Sequence, residues 1–219
     1  MKSRLDVIFD EIQPTVSFAD VGCDHGYIAK RMIESGKCSN VTVSDVSAPS
    51  LQKAEKLLYK YVKAGVVKSI CCDGLTLVDK NVQTVLIAGM GGEEIIKILK
   101  NSPFLPPILL LQPMKNTDKV RKALFDLGYG IIKDYIFYDK NKYYNLLVAH
   151  FGVKVEPYNE REFAFGRDNL NGMSEQFKNY LRHEISVTEG YAKRVACEKS
   201  LQEITQKLTL LREILNENS

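Results

Sequence analysis

What the sequence has little of comes first. It holds five cysteines, Cys23, Cys38, Cys71, Cys72 and Cys197, an odd number with no C-x-x-C spacing. That excludes a disulfide framework and a zinc ribbon, and reads as reduced thiols. With 14 glycines and 7 prolines in 219 residues, collagen-like and low-complexity classes are excluded too. No apolar run approaches the roughly 18 residues a membrane span needs; residues 108–111 are typical of the longest. The opening stretch MKSRLDVIFDEI carries Asp6, Asp10 and Glu11 where an export signal is apolar. A cytoplasmic protein with no membrane partner is expected. Charge of either sign is also scarce in excess. Residues 1–150 hold 20 Lys and Arg against 16 Asp and Glu, and residues 151–219 hold 10 against 11. A mildly basic first part is compatible with nucleic acid without requiring it.

What is present is an alternation. A first helix places Leu5, Ile8, Phe9 and Ile12 on one face and stops at Pro14. Short apolar runs at 16–21, 41–46, 66–71, 82–88 and 108–111 read as strands covered on both faces. Helical stretches separate them: one through Leu51, Ala54, Leu58 and Tyr61 with Ser47 as N-cap, another through Val120, Ala123, Leu124 and Leu127 ending at Gly128. Two further strands, 131–138 and 144–151, flank the turn residues 139–141. The pattern predicts an α/β fold with a Rossmann-like, mostly parallel sheet and an antiparallel edge hairpin. Residues 152–173 read as a polar connector. From 174 to 216 apolar residues recur every three or four positions, which predicts a C-terminal helical, coiled-coil-like appendage whose one weak point is Gly190. The expected domains are 1–155 and 156–219.

In such sheets ligands bind beyond the carboxyl ends of the strands. The first strand runs into Asp20, Gly22, Cys23, Asp24, His25 and Gly26. This spacing is not the dinucleotide G-x-G-x-x-G, and carboxylates beside a pyrophosphate would be repulsive, which disfavours a nicotinamide oxidoreductase. A ligand with a cationic end, such as S-adenosylmethionine, suits them. Asp45, followed by Val46, ends the second strand and could accept a ribose; Asp73 and Gly74 follow the third and could take an adenine amine. Gly89, Met90, Gly91 and Gly92 follow the fourth, three glycines in four positions. Taken singly each has a plain structural explanation, a turn or a helix start. Four at consecutive strand ends point to an adenosylmethionine-dependent methyltransferase.

The segments ADVGCDHGYIA, CDGL, VLIAGMGG, LLLQP and KYYNLLVAHF resemble the bacterial TrmK family, the tRNA (adenine(22)-N1)-methyltransferases, over roughly residues 1–170. That family usually reads S-D-H-A-Y in the first loop and LQPN after the fifth strand; here Cys23, Gly26 and Met114 stand instead. The resemblance implies a class I methyltransferase domain, a C-terminal coiled coil, tRNA as partner, no metal and 1-methyladenosine as product. Because adenine N1 has an in-plane lone pair, no base need first remove a proton, and positioning should dominate. The candidate catalytic residues are Asp24, His25, Met90 and Gln112, the last offering donor and acceptor to an adenine edge. Candidate stacking residues are Tyr27, Tyr143 and Tyr144. Candidate phosphate contacts are Lys30, Arg31, Lys53, Lys56, Lys60, Lys63, Lys115, Lys119, Arg121 and Lys122. No obligate protein partner is evident, so a monomer is expected. The alternatives are another RNA site, a protein or a small molecule as methyl acceptor, or a non-catalytic RNA-binding protein of the same fold.

Overall fold

A computed structural model describes residues 2–195 and 197–217, so Met1, Ala196, Asn218 and Ser219, which fall inside the expected domain ranges, lie outside the described residues. The chain opens with α1 (Arg4–Glu11), capped by Ser3, whose hydroxyl accepts from the Asp6 amide while the Asp6 carboxylate answers the Ser3 amide. Alternating elements follow: β1 (Phe18–Val21), α2 (Tyr27–Glu34), β2 (Val41–Asp45), α3 (Ala48–Leu57), α4 (Tyr59–Lys63), β3 (Val67–Cys71), β4 (Thr84–Met90), α5 (Gly92–Lys100), β5 (Ile108–Pro113) and α6 (Thr117–Asp126). The hairpin β6 (Tyr129–Asp139) and β7 (Lys142–Phe151) closes the sheet. The helices α7 (Glu160–Phe165), α8 (Arg167–Gly172), α9 (Glu175–Ala192) and α10 (Glu198–Asn216) complete the chain. Ser47 caps α3 as its sequence position predicts, with Pro49 in the first turn.

The seven strands lie in the order β3-β2-β1-β4-β5-β7-β6. The first five are parallel, and β7 enters antiparallel between β5 and β6. The Rossmann-like sheet with an antiparallel edge is therefore present. Both faces are covered, and alternate residues of one strand serve opposite cores. Ala19, Val21, Val85, Ile87, Leu109 and Leu111 pack with residues of α5 and α6 on one side. Phe18, Val41, Val43, Leu86 and Leu110 pack with residues of α1, α2 and α3 on the other.

Three expectations need correction. The stretch 152–173 is not a bare connector: it folds into α7 and α8, the first held by a capping box between Asn159 and Glu162. These helices have too few turns for periodicity to show. Gly190, the one weak point of the appendage, does not interrupt it, because α9 runs through it to Ala192 and α10 begins at Glu198. Arg121 is no phosphate contact. Its guanidinium is buried, meeting both Asp134 carboxylate oxygens at 2.8 Å, the Phe163 carbonyl at 2.9 Å and Asn145 Oδ1 at 3.2 Å.

β6 is an edge strand, and its outward amides are not left open. The Asp134, Ile136 and Tyr138 amides donate to Asp168, Asn169 and Gln176 side chains at 2.8, 2.8 and 3.1 Å. The helical portion thus blocks strand addition at that edge. Ile136 also packs with Phe177 and Leu181 of α9 and Leu211 and Ile214 of α10. Replacing Arg121 by Met would strand the Asp134 carboxylate in this interior. The expected loss is about 3–5 kcal/mol of unfolding free energy, measured by urea denaturation.

Candidate active site

Beyond the carboxyl ends of β1 and β4 opens a cleft of about 690 Å³. The start of α1 and the tip of the β6–β7 hairpin, with Asp139, Lys140 and Tyr144, form its far wall. Its lining includes Asp20, Gly22, Cys23, Asp24, His25, Gly89 and Met90, so the first and fourth strand-end clusters meet here. β1 and β4 are neighbours in the sheet while the chain crosses from one side to the other between them, which leaves their ends uncovered.

Gly22 has φ +69°, and a Cβ there would stand 1.9 Å from Met90 Cε. The Met90 methyl therefore occupies the space a side chain at 22 would need. Met90 itself is aimed by a bulge: the β4–β5 register shifts between Ala88 and Met90, with Gly89 at φ +81°. Asp20 is buried, and burial pushes its carboxyl up to about 7, opposed by the Ala29 amide and aided by repulsion from Asp45. Cys23 is held protonated, chiefly by burial and then by Asp20 and Asp45, so it is no nucleophile.

Asp24 adopts φ +45°, and its carboxylate meets Lys53 at 3.1 Å and His25 Nε2 at 3.6 Å. The His25 ring stacks on Tyr27 at 5.3 Å. The Asp45 carboxylate accepts from the Ser47 amide at 2.8 Å and the Asp24 amide at 3.3 Å, tying the ends of β2 and β1 together. Val46 and Asp73 are exposed beyond the cleft lining, with Lys97 at 3.9 Å from Asp73. Gly26 starts α2 against Ala54 and Leu58, Gly74 sits under Ile98, and Gly91 caps α5 beside Lys115.

Gln112 does not reach the cleft surface. It is fully buried, its Oε1 accepting from Arg4 Nη1 at 2.8 Å and its Nε2 donating to the Pro113 carbonyl at 3.1 Å. Arg4 stands in the lining instead, 5.8 Å from the Tyr144 ring, while its amide donates to Asp139. Sequence reasoning missed Arg4 because one arginine in an amphipathic helix carries no spacing signal. Met114 and Tyr144 also line the cleft. Several candidate phosphate contacts have carboxylate partners: Lys30 with Glu34, Arg31 with Asp6, Lys119 with Glu93 and Lys122 with Glu160.

An acidic loop, a thioether and an arginine thus face one another across a cleft with no activated nucleophile in the lining described. Among the described residues, no group of three His, Cys, Asp or Glu could hold a metal ion. This arrangement accommodates an organic ligand with a cationic end and a flat polar partner.

Residues 1–147 match the family model described as "Methyltransferase domain". The chain belongs to that methyltransferase family. Over nearly its whole length, 99% of this chain and 97% of the relative, it is 23% identical to the tRNA (adenine(22)-N(1))-methyltransferase of Bacillus subtilis (strain 168). The fold superposes on M. capricolum TrmK in complex with S-adenosyl-homocysteine at TM-score 0.87, with 22% identity, covering 99% of this chain and 98% of that one. It superposes on the B. subtilis M1A22 tRNA methyltransferase TrmK at TM-score 0.82, with 22% identity, covering 98% of each chain.

A methyltransferase domain that keeps a buried, upshifted carboxyl in its cleft has a pH signature. Asp20 in the unfolded chain ionises near 4 and in the fold near 7, so stability attributable to its neutral form falls as pH rises through that window. Asp20→Asn should stabilise the fold at pH 8, by on the order of 4 kcal/mol, and change little at pH 4. Thermal unfolding across pH 4–8 measures it.

Proposed function

We propose that this chain methylates N1 of an adenine in tRNA, at position 22, with S-adenosylmethionine as donor and 1-methyladenosine as product. The observation that carries the reading is the juxtaposition of the acidic β1 loop with Met90 across Gly22, in a chain similar along its length to a tRNA (adenine(22)-N(1))-methyltransferase. The residues present fit the donor. In the lining, Asp20 and Asp24 would face its cationic methionine end while Gly22 keeps the loop free of a side chain; beyond the lining, Asp45 would take its ribose and Asp73 its adenine amine. When bound, the donor supplies a methyl on a positively charged sulfur; the S–CH₃ bond breaks as the N1–CH₃ bond forms, and the charge moves to the adenine ring.

The protein's part is to position and to tune charge. Asp24 lies at the cleft wall to face that migrating charge. His25, held against Tyr27, orients the base from one side, and Met90 supports it from the floor. Gln112 acts from beneath, holding Arg4 in the lining rather than touching the base. Extruding the adenine from folded tRNA costs a few kcal/mol, recovered by stacking in the cleft. The helical portion, 156–219, serves to hold the tRNA body. On this proposal the chain acts as a monomer in the cytoplasm.

Incubation with labelled S-adenosylmethionine and unmodified total tRNA, followed by nucleoside analysis, should yield 1-methyladenosine. Donor binding with no methylated nucleoside would turn the search to a protein or small-molecule acceptor. Asp73→Ala should weaken donor binding roughly tenfold, the loss of one charge-assisted hydrogen bond. Calorimetric titration measures it, and tRNA affinity should stay unchanged.

A further inference from the structure

Two more cavities open beside the cleft, of about 650 and 310 Å³, and Met114 lines all three. Met114 is half exposed. Past it runs a series of rings. Tyr144 lines the cleft and the smaller cavity, and its ring stacks on Phe137 at 5.5 Å. Tyr143, the preceding residue of β7, has its ring 4.9 Å from Tyr138 across the hairpin, 5.4 Å from Tyr180 and 5.8 Å from the exposed His183 of α9. Both rings line the smaller cavity, but only Tyr144 reaches the cleft and only Tyr143 the larger outer cavity.

Lys115 lines the larger outer cavity and Lys142 the smaller. Among the described residues, Lys115 and Lys142 have no carboxylate within 4.0 Å. Glu184, which lines both outer cavities, is answered by Lys207 at 2.9 Å, while Glu203 lies further along the larger one.

We propose that Tyr143 and His183 form a stacking seat for the nucleotide adjoining the methylated adenine, with Lys115 and Lys142 at its phosphates. The inference rests on the tRNA reading above and extends it. Extruding one base removes a stacking partner from its neighbour, which then needs a flat surface in reach. The ring series begins where the cleft ends, and its free cations suit a polyanion. The contact is to a π face, so it places the neighbour without reading its identity.

The test is steady-state methylation against tRNA concentration, beside donor titration and tRNA-binding titration, for four proteins. Tyr143→Leu should raise KM for tRNA at least fivefold, with kcat within twofold and donor affinity unchanged. Tyr143→Phe should restore KM, because the ring and not the hydroxyl does the stacking. His183→Ala, on an exposed surface, should raise KM in the same direction and carries the test if Tyr143→Leu fails to fold. Unchanged KM in both Tyr143→Leu and His183→Ala would overturn the seat while leaving the tRNA reading intact. If the unaltered protein makes no methylated adenine, that reading falls instead. The tRNA-binding titration then decides the seat, and equal affinity across the variants would overturn it.

Discussion

Two opposite charges buried together, Arg121 on α6 and Asp134 on β6, govern how the second half of this chain is arranged. Each side chain is 1% exposed, and taking either ion out of water costs several kcal/mol. That cost is offset only if the remaining donors and acceptors are satisfied. The Tyr158 hydroxyl donates to Asp134, and Arg121 reaches the Phe163 and Ala164 carbonyls and Asn145. The chain after β7 must therefore return to this point. In doing so it lays α8 and α9 along the β6 edge, whose amides they satisfy.

The same pair bears on the cleft. It anchors α6, and the segment leading into α6 carries Met114 and Lys115 past the end of β5. At the other wall, the Arg4 amide holds the Asp139 carboxylate at the hairpin tip, and the Arg4 side chain rests on Gln112. Both walls thus depend on contacts between residues more than a hundred positions apart or on a buried charge. The floor is local: a glycine-bearing loop after β1 and a bulge in β4.

These two kinds of construction differ in how well the sequence shows them. The parallel strands were legible because burial on both faces leaves continuous apolar runs, and the loop residues were legible because position after a strand implies position in the cleft. Strand ends shifted by only a residue or two. Asp20, Gly22, Asp24, His25 and Met90 meet in the lining for that reason. Gln112 was placed correctly along the chain but one layer too high. Whether an amide after a strand faces solvent or a neighbouring arginine depends on α1, which the local pattern does not include.

The sequence by itself determined the sheet, its order of loops and the acid and glycine content of the cleft floor, because these follow from residue type and short-range periodicity. Tertiary structure alone decided that Arg121 is interior, that Arg4 joins the cleft and that the stretch 152–173 is folded. It also decided that Tyr144 lines the cleft while Tyr143, beside it in the smaller cavity, lines the larger outer one. Each of those outcomes depends on a partner distant in sequence, and a partner brought in by folding leaves no periodic trace in the residues it meets.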